Sequence, residues 1–268
     1  MSDEVFVQWN GKFETWFQPV LDTSGHRIVG QECFTRLASD PNRSCSEILG
    51  TALARNQLAE FDAGAATLAI RAAGKQRREG RGNGPWFVNF IPVAITDADS
   101  FIKGAVDALI EANLAPADII FEAVESDLSG DSARLRQMHD LLRNRGFGFS
   151  LDNAGKDQNS FQMICSLRPD FVKIDQRLSW NAEQPVCAAT IRKLVELSDL
   201  NGVRPVATGV ERARTVENLW LLGVQLMQGY LFGRPSPASG LHSTQSNLAN
   251  LAKLSNYDPA PVLANLNQ

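Results

Sequence analysis

The feature that most limits what this sequence can fold into is a repeated alternation. Short, bulky apolar runs are followed by stretches of helical periodicity, and most of the apolar runs stop at a polar residue. The predicted strands are Trp16–Leu21, Ile28–Phe34, Trp86–Phe90, Ile119–Glu122, Phe147–Asp152, Phe171–Ile174, Val203–Ala207 and a weaker one at Val224–Met227. Several are apolar on both faces, as strands of a helix-covered parallel sheet must be. Between them, Phe61–Arg78, Phe101–Ala112, Asp131–Asn144, Thr190–Leu200 and Ala213–Leu222 carry apolar residues at helical spacing. In Asp131–Asn144 the face is Leu135, Met138, Leu141 and Leu142. That helix closes on Arg143, Arg145 and Gly146, a cationic last turn and then a residue that tolerates a left-handed cap. Repeated strand–helix units argue for a parallel sheet with helices outside. At 268 residues the expectation is a single-domain α/β chain, a (β/α)₈-type barrel. Gly80–Pro85 reads as a short loop from helix to strand. The segment from Ser236 on is expected to add one outer helix, Gln245–Leu254, and a tail.

Charge and cysteine usage exclude several classes. With 26 basic and 30 acidic residues the net charge is −4, so no global basic face exists for DNA or RNA. The run Lys75–Arg81 reads as a solvated helix end. No window approaches the apolar length of a membrane span. The N-terminus lacks a basic region followed by an apolar stretch, so a cytoplasmic location is expected. Cys33, Cys45, Cys165 and Cys187 form no CxxC pair and have no histidine at zinc-ligand spacing, which points to free thiols. His26 falls in a turn-like TSGHR segment, and His26, His139 and His242 are expected at the surface. Trp9, Trp16, Trp86, Trp180 and Trp220 are read as packing anchors.

The polar strand ends are the candidate chemistry. Glu32, Asn89, Glu122 and Asp152 each close an apolar run, with Asn153, Lys173 and Asp175 beside them. Such groups cost several kcal/mol each if buried without partners. In a parallel barrel the C-terminal strand ends form one rim that carries the chemistry. Hard oxygen donors converging there suit Mg²⁺, Mn²⁺ or Ca²⁺. A single acid at a strand end is more often a helix cap or ion-pair partner. Four on successive ends put a metal-assisted or phosphate-handling site beside that reading.

Several segments then resemble the EAL-domain family of cyclic-di-GMP phosphodiesterases. FQPVLDTSGHRIVGQECFTR resembles its opening, with Glu32-Cys33-Phe34 in place of Glu-Ala-Leu and Arg36 retained. WFVNFIP, FEAVES, SLDNAGKDQNSF, DFVKID and VATGVERARTVENLWLLGVQLMQGYLFGRPSP follow in family order, from about residue 15 to residue 237. The resemblance implies a modified (β/α)₈ barrel and hydrolysis of cyclic di-GMP to pGpG by two divalent metals. It implies that one metal is held by Glu32, Asn89, Glu122 and Asp152, all present. It implies acids for the second metal where this chain has Asn153 and Thr208. The loop that supports that metal and dimer coupling is also changed, to Lys156-Asp157. Lys173, expected to orient water, and Glu211 are retained as vestigial catalytic residues. Gln18, Phe34, Arg36, Asp152, Gln228 and Pro235 match positions that face the nucleotide.

The expectation is therefore a catalytically degenerate member, a cyclic-di-GMP receptor or effector without efficient hydrolysis. One Mg²⁺ or Mn²⁺ at the first site is allowed, and so is an empty site. Two alternatives stand beside it: a regulator that acts through protein contacts and binds no nucleotide, and a slow phosphodiesterase. The expected partners are cyclic di-GMP, an unidentified protein target and a second copy of the chain. The sequence holds no recognisable sensory or cyclase segment, which suits a diffusing effector.

Overall fold

The computed structural model describes residues 12–43, 45–82, 84–124, 132–156 and 159–237. The predicted helix Gln245–Leu254, Trp9 and His242 lie outside them. Eight strands close into a barrel in sequence order: β1 (Phe13–Asp22), β2 (Arg27–Leu37), β3 (Trp86–Phe90), β4 (Ile119–Val124), β5 (Gly148–Ala154), β6 (Phe171–Ile174), β7 (Arg204–Ala207) and β8 (Leu226–Met227). The helices are α1 (Cys45–Ala54), α2 (Leu58–Arg78), α3 (Ala98–Ala112), α4 (Ser132–Asn144), α5 (Asn159–Leu167), α6 (Gln176–Trp180), α7 (Pro185–Asn201) and α8 (Ala213–Leu221). Sequence periodicity missed α1, α5 and α6. The departure from a uniformly parallel barrel is β1, which pairs antiparallel with β8 through Leu21↔Met227 and Asp22↔Leu226. Only four residues, Thr23 to His26, separate β1 from β2, too few for the crossover a parallel pair needs.

By compactness the chain divides into two units. Among the described residues, the first takes those within 12–17, 31–149 and 235–237, and the second those within 18–30 and 150–234. In the first unit the outer faces of β3, β4 and β5 meet their helices through phenylalanines. Phe121 sits 5.6 Å from Phe90, 5.6 Å from Phe101 and 5.1 Å from Phe147, all tilted or edge-on. Phe121 is fully buried, and truncating such a ring to alanine costs about 3–5 kcal/mol. Asp97 caps α3 by accepting the Ser100 N–H, and Asn113 ends it in the left-handed region at φ 55°. Gly146, at φ 83°, ends α4 as its sequence suggested. In the second unit Ile164, Ile191, Leu194, Val206 and Leu219 are buried.

Three expectations are corrected. His139 is buried at 8% exposure, edge-on to Phe149 at 5.0 Å, with Nδ1 2.9 Å from Asp140. It lies on the apolar stripe of α4, four residues after Leu135. His26 adopts φ 48° in its turn and is half-buried. Trp180 is 45% exposed, so it is no interior anchor, whereas Trp86 is fully buried.

The basic run at the end of α2 is matched by acids. Arg77 grips Asp118 through two bonds of 2.7 and 2.6 Å and lies 5.0 Å over the Trp86 ring. Arg71 pairs with Glu111 and Arg81 with Glu79. The Arg77 guanidinium holds the Asp118 carboxyl below its ordinary 3.8, against the opposing effect of partial burial. A depressed carboxyl pKa contributes stability above its unfolded value and loses it as pH falls through the folded one. Asp118→Ala should therefore cost about 1–2 kcal/mol near neutral pH, the pair being partly exposed. The deficit against the unmodified protein should shrink below about pH 4. Thermal unfolding followed across pH checks both statements, and a pH-independent deficit would contradict them.

Candidate functional site

In the first unit, side-chain alternation decides what faces inward. On β2, Gln31 bonds Gln76 of α2, and Leu37 packs on Ile48, Ala52 and Phe61. Glu32, Phe34 and Arg36 therefore take the opposite face. On β3 and β4, Trp86, Val88, Phe90, Ile119 and Phe121 are buried, and Phe90 and Phe121 turn toward Phe101 of α3. Asn89 and Glu122 take the other face, directly opposite each other in the parallel register. Glu32 is 7% exposed and Glu122 wholly buried. The Asn89 amide Nδ2 donates to Glu32 Oε1 at 3.1 Å. A cation would thus be offered the Asn89 Oδ1 together with the two carboxylates. Among the described residues, no group of three or more His, Cys, Asp or Glu side chains is clustered to hold a metal. The donor set in this unit is accordingly mixed: two acids and one amide, all hard oxygens suited to a small divalent ion.

Asp62, which periodicity gave no reason to single out, secures this arrangement. It is 4% exposed on α2 and accepts the Ile91 N–H at 2.9 Å, two residues beyond Asn89. An acid within the otherwise apolar first turns of Phe61–Arg78 is the signal that would have found it. Arg36 lies with its guanidinium carbon 5.2 Å from the Phe34 ring centre and 5.9 Å from that of Trp16. Pro235 is half-buried beside Ser236, which bridges Phe17 in antiparallel fashion.

In the second unit, Asp152 and Asn153 occupy a bulge. Leu151 pairs with Val172 and Ala154 with Ile174, so β5 carries one extra residue there. Asn153 adopts φ 59° and donates its N–H to Asp152 Oδ1 at 2.8 Å. Asparagine is among the few side chains that tolerate this region. Lys173 on β6 is 1% exposed. Asp175 serves as a cap, accepting the Arg177 N–H at 2.8 Å and its guanidinium at 2.9 Å. Burial would raise its carboxyl, but the Arg177 bonds, with nearby Lys156, hold it below the ordinary 3.8. The common capping reading of a strand-end acid is thus right for Asp175.

Thr208 donates its hydroxyl to the Ile174 carbonyl at 2.8 Å. The next residue, Gly209, has φ 70°, and its carbonyl accepts the Trp180 indole N–H at 2.6 Å. Glu211 is exposed. Gln228 is buried and donates to Gln18 Oε1 at 3.1 Å, and Gln18 donates in turn to the Gly233 carbonyl at 2.8 Å. Gly229 must lack a side chain, because a Cβ would stand 2.1 Å from the Val210 carbonyl oxygen. The structure thus joins Glu32 with Asn89, Phe34 with Arg36 and Gln18 with Gln228. It ties Thr208 to the backbone and leaves Glu211 at the surface.

A barrel with buried acids and an amide at the ends of its first parallel strands defines a class, and the comparisons give the family. The EAL domain model matches residues 6–235, and the chain belongs to the EAL-domain family. It is 27% identical over 239 residues to the cyclic di-GMP phosphodiesterase RocR of Pseudomonas aeruginosa, covering 85% of this chain and 58% of RocR. The chain therefore spans a little over half of that relative. The fold is shared with Klebsiella pneumoniae BlrP1 in a manganese and cyclic-di-GMP complex, with a TM-score of 0.76, 22% identity and coverage of 84% of this chain and 56% of that one. It is shared with a standalone EAL protein from Vibrio cholerae O395 bound to cyclic di-GMP, at a TM-score of 0.75 and 24% identity, covering 84% and 93%.

The role of Asp62 can be measured. Asp62→Ala removes the acceptor of the Ile91 N–H and should cost about 1.5–3 kcal/mol, the range for a bond to a charged group. Hydrogen exchange should accelerate at Ile91 more than in α7. Unchanged protection at Ile91 would show that Asp62 does not hold this strand end.

Proposed function

We propose that this chain is a cyclic-di-GMP-binding receptor of its family that does not hydrolyse the nucleotide efficiently. The observation that carries the reading is Thr208. It stands where the family pattern calls for a metal-binding glutamate, and its hydroxyl is donated to the Ile174 carbonyl. Asn153, at the second acidic position, is neutral. An amide and a hydroxyl supply none of the charge that makes a carboxylate a good Mg²⁺ ligand. Two-metal hydrolysis depends on both ions, which activate the water and clamp the phosphate. The residues present therefore do not fit a second metal.

The first set does fit one divalent ion. Glu32, Asn89 and Glu122, with Asp152 in the family pattern, would hold Mg²⁺ or Mn²⁺. Such an ion supplies Lewis-acid polarisation of a phosphoryl oxygen when bound. The chain's own groups do the rest. Arg36 gives a charge-assisted contact to a phosphate, and Phe34 gives a guanine an apolar face. Gln18, Gln228 and Pro235 complete the expected contacts. Lys173 and Glu211 remain as catalytic relics. The known ligands of the solved relatives support the choice of nucleotide. The bound state would be passed to a protein target. No helix among the described residues is long and apolar enough to cross a membrane, and a cytoplasmic site of action suits this role.

Calorimetry with cyclic di-GMP, with Mn²⁺ and with a chelator, tests the proposal. The expected result is binding in both, with little pGpG formed. Arg36→Ala should weaken affinity about 10- to 150-fold, the worth of one charge-assisted bond. Turnover on the order of 1 s⁻¹ would contradict the loss of hydrolysis. Asn153→Asp with Thr208→Glu is the minimal repair and should raise whatever pGpG release remains. An absence of heat and of thermal stabilisation would replace the receptor by a regulator acting through protein contacts alone.

A further inference from the structure

Arg36 is held between two aromatic rings, and one of them lies outside every motif that marks the site. Alternation on β1 explains how it gets there. Phe13 turns outward and meets Phe61 of α2 edge-on at 5.5 Å, and Phe17 is buried. Glu14 and Trp16 therefore take the opposite face of β1. On the neighbouring strand β2, Phe34 and Arg36 also face away from the helices, since Leu37 packs on the Ile48–Ala52–Phe61 cluster. The guanidinium carbon lies 5.9 Å from the Trp16 ring centre and 5.2 Å from that of Phe34. Both distances are within cation–π range. The Trp16 ring is anchored in turn, its Nε1–H donating to Glu14 Oε1 at 2.7 Å. Arg36 also donates one N–H to the Thr35 carbonyl at 3.1 Å. All three planar groups are half-buried.

We propose that Trp16 is a positioning residue that fixes the Arg36 guanidinium for a phosphate, with Glu14 setting the ring. The proposal rests on the receptor reading for its ligand, and on geometry alone for the stack. A free arginine samples many rotamers and gives up that freedom when it binds an anion. One held between two rings has already given it up, so more of its hydrogen-bond strength appears as affinity. The π face satisfies the cation without using its N–H groups, and the edge of the fork stays available for a bidentate contact. The two neighbouring strands bring Trp16 and Arg36 together across a separation that no short motif spans.

Two measurements on the intact protein decide it. In the ligand-free protein the Arg36 Nε–Hε resonance should be displaced upfield by the ring currents, and Trp16→Leu should return it toward the exposed arginines. Cyclic di-GMP titration should then show Trp16→Leu weakening affinity about tenfold. Trp16→Phe, which keeps a ring, should recover most of the loss. In an Arg36→Ala background Trp16→Leu should add little, because the two act as one unit. Glu14→Ala should fall between, and Glu14→Gln, which keeps an acceptor for the indole, should resemble the unmodified protein. An unchanged Arg36 resonance in Trp16→Leu overturns the stack. Equal losses from Trp16→Leu with and without Arg36 overturn the positioning role and leave Trp16 as packing. If the unmodified protein binds no cyclic di-GMP, the receptor reading and the phosphate role fail together. The resonance then still decides whether Trp16 fixes Arg36.

Discussion

Two buried glutamates on either side of one asparagine set the terms for the first half of this protein. Glu32 and Glu122 are almost wholly removed from water, and carboxyl groups are costly to bury unless they are paired. Asn89 sits opposite Glu122 in the sheet and gives a hydrogen bond to Glu32. An amide can donate to one acid with its nitrogen and offer its oxygen to a cation. That dual capacity makes the position suit asparagine better than a third acid. Asp62 then holds the backbone just beyond it. The cost of gathering these groups is hard to explain as stabilisation, since apolar residues of similar size would pack there without it.

The second half has a different character. Its strand ends are bonded to the protein itself. The Thr208 hydroxyl meets a carbonyl of β6, the Gly209 carbonyl meets an indole, and the Gln228 and Gln18 amides form a short chain ending on Gly233. Groups satisfied in this way are held by the protein's own hydrogen bonds. In the receptor reading proposed above, recognising a phosphodiester and breaking it make different demands on the protein. The distinction is energetic: binding needs complementary charge in the ground state, whereas hydrolysis needs stabilisation that appears only in the transition state.

Much of this was legible in the sequence, and the exceptions have physical reasons. The strands from β3 to β7 were readable because a strand covered by helices must be continuously apolar, and its polar terminus then stands out. Helices α2, α3, α4, α7 and α8 showed their stripe. Short helices give periodicity little to work with: α8, at nine residues, was legible, whereas α1, α5 and α6, at ten, nine and five, were not, and packing decides them. Gly155, for example, sits so close under Leu178 and Leu194 that a Cβ would be 2.5 Å from the first. His139, expected at the surface, is buried, and its spacing from Leu135 places it on the apolar face of α4. The chain of Glu14, Trp16 and Arg36 was not legible at all, because a contact between strands leaves no spacing in the sequence. Asn153 and Thr208 were visible as departures from a family pattern, but the bond from Thr208 to Ile174 was not.

The central claim is that this barrel retains its nucleotide intact. It is tested most directly with protein in excess over radiolabelled cyclic di-GMP, with Mn²⁺ present, by recovering the label after rapid removal of unbound material. The account predicts that the label stays with the protein and elutes on denaturation as unbroken cyclic di-GMP, even after long incubation. Recovery of the label as pGpG within the first turnover, or its failure to remain with the protein, would contradict it.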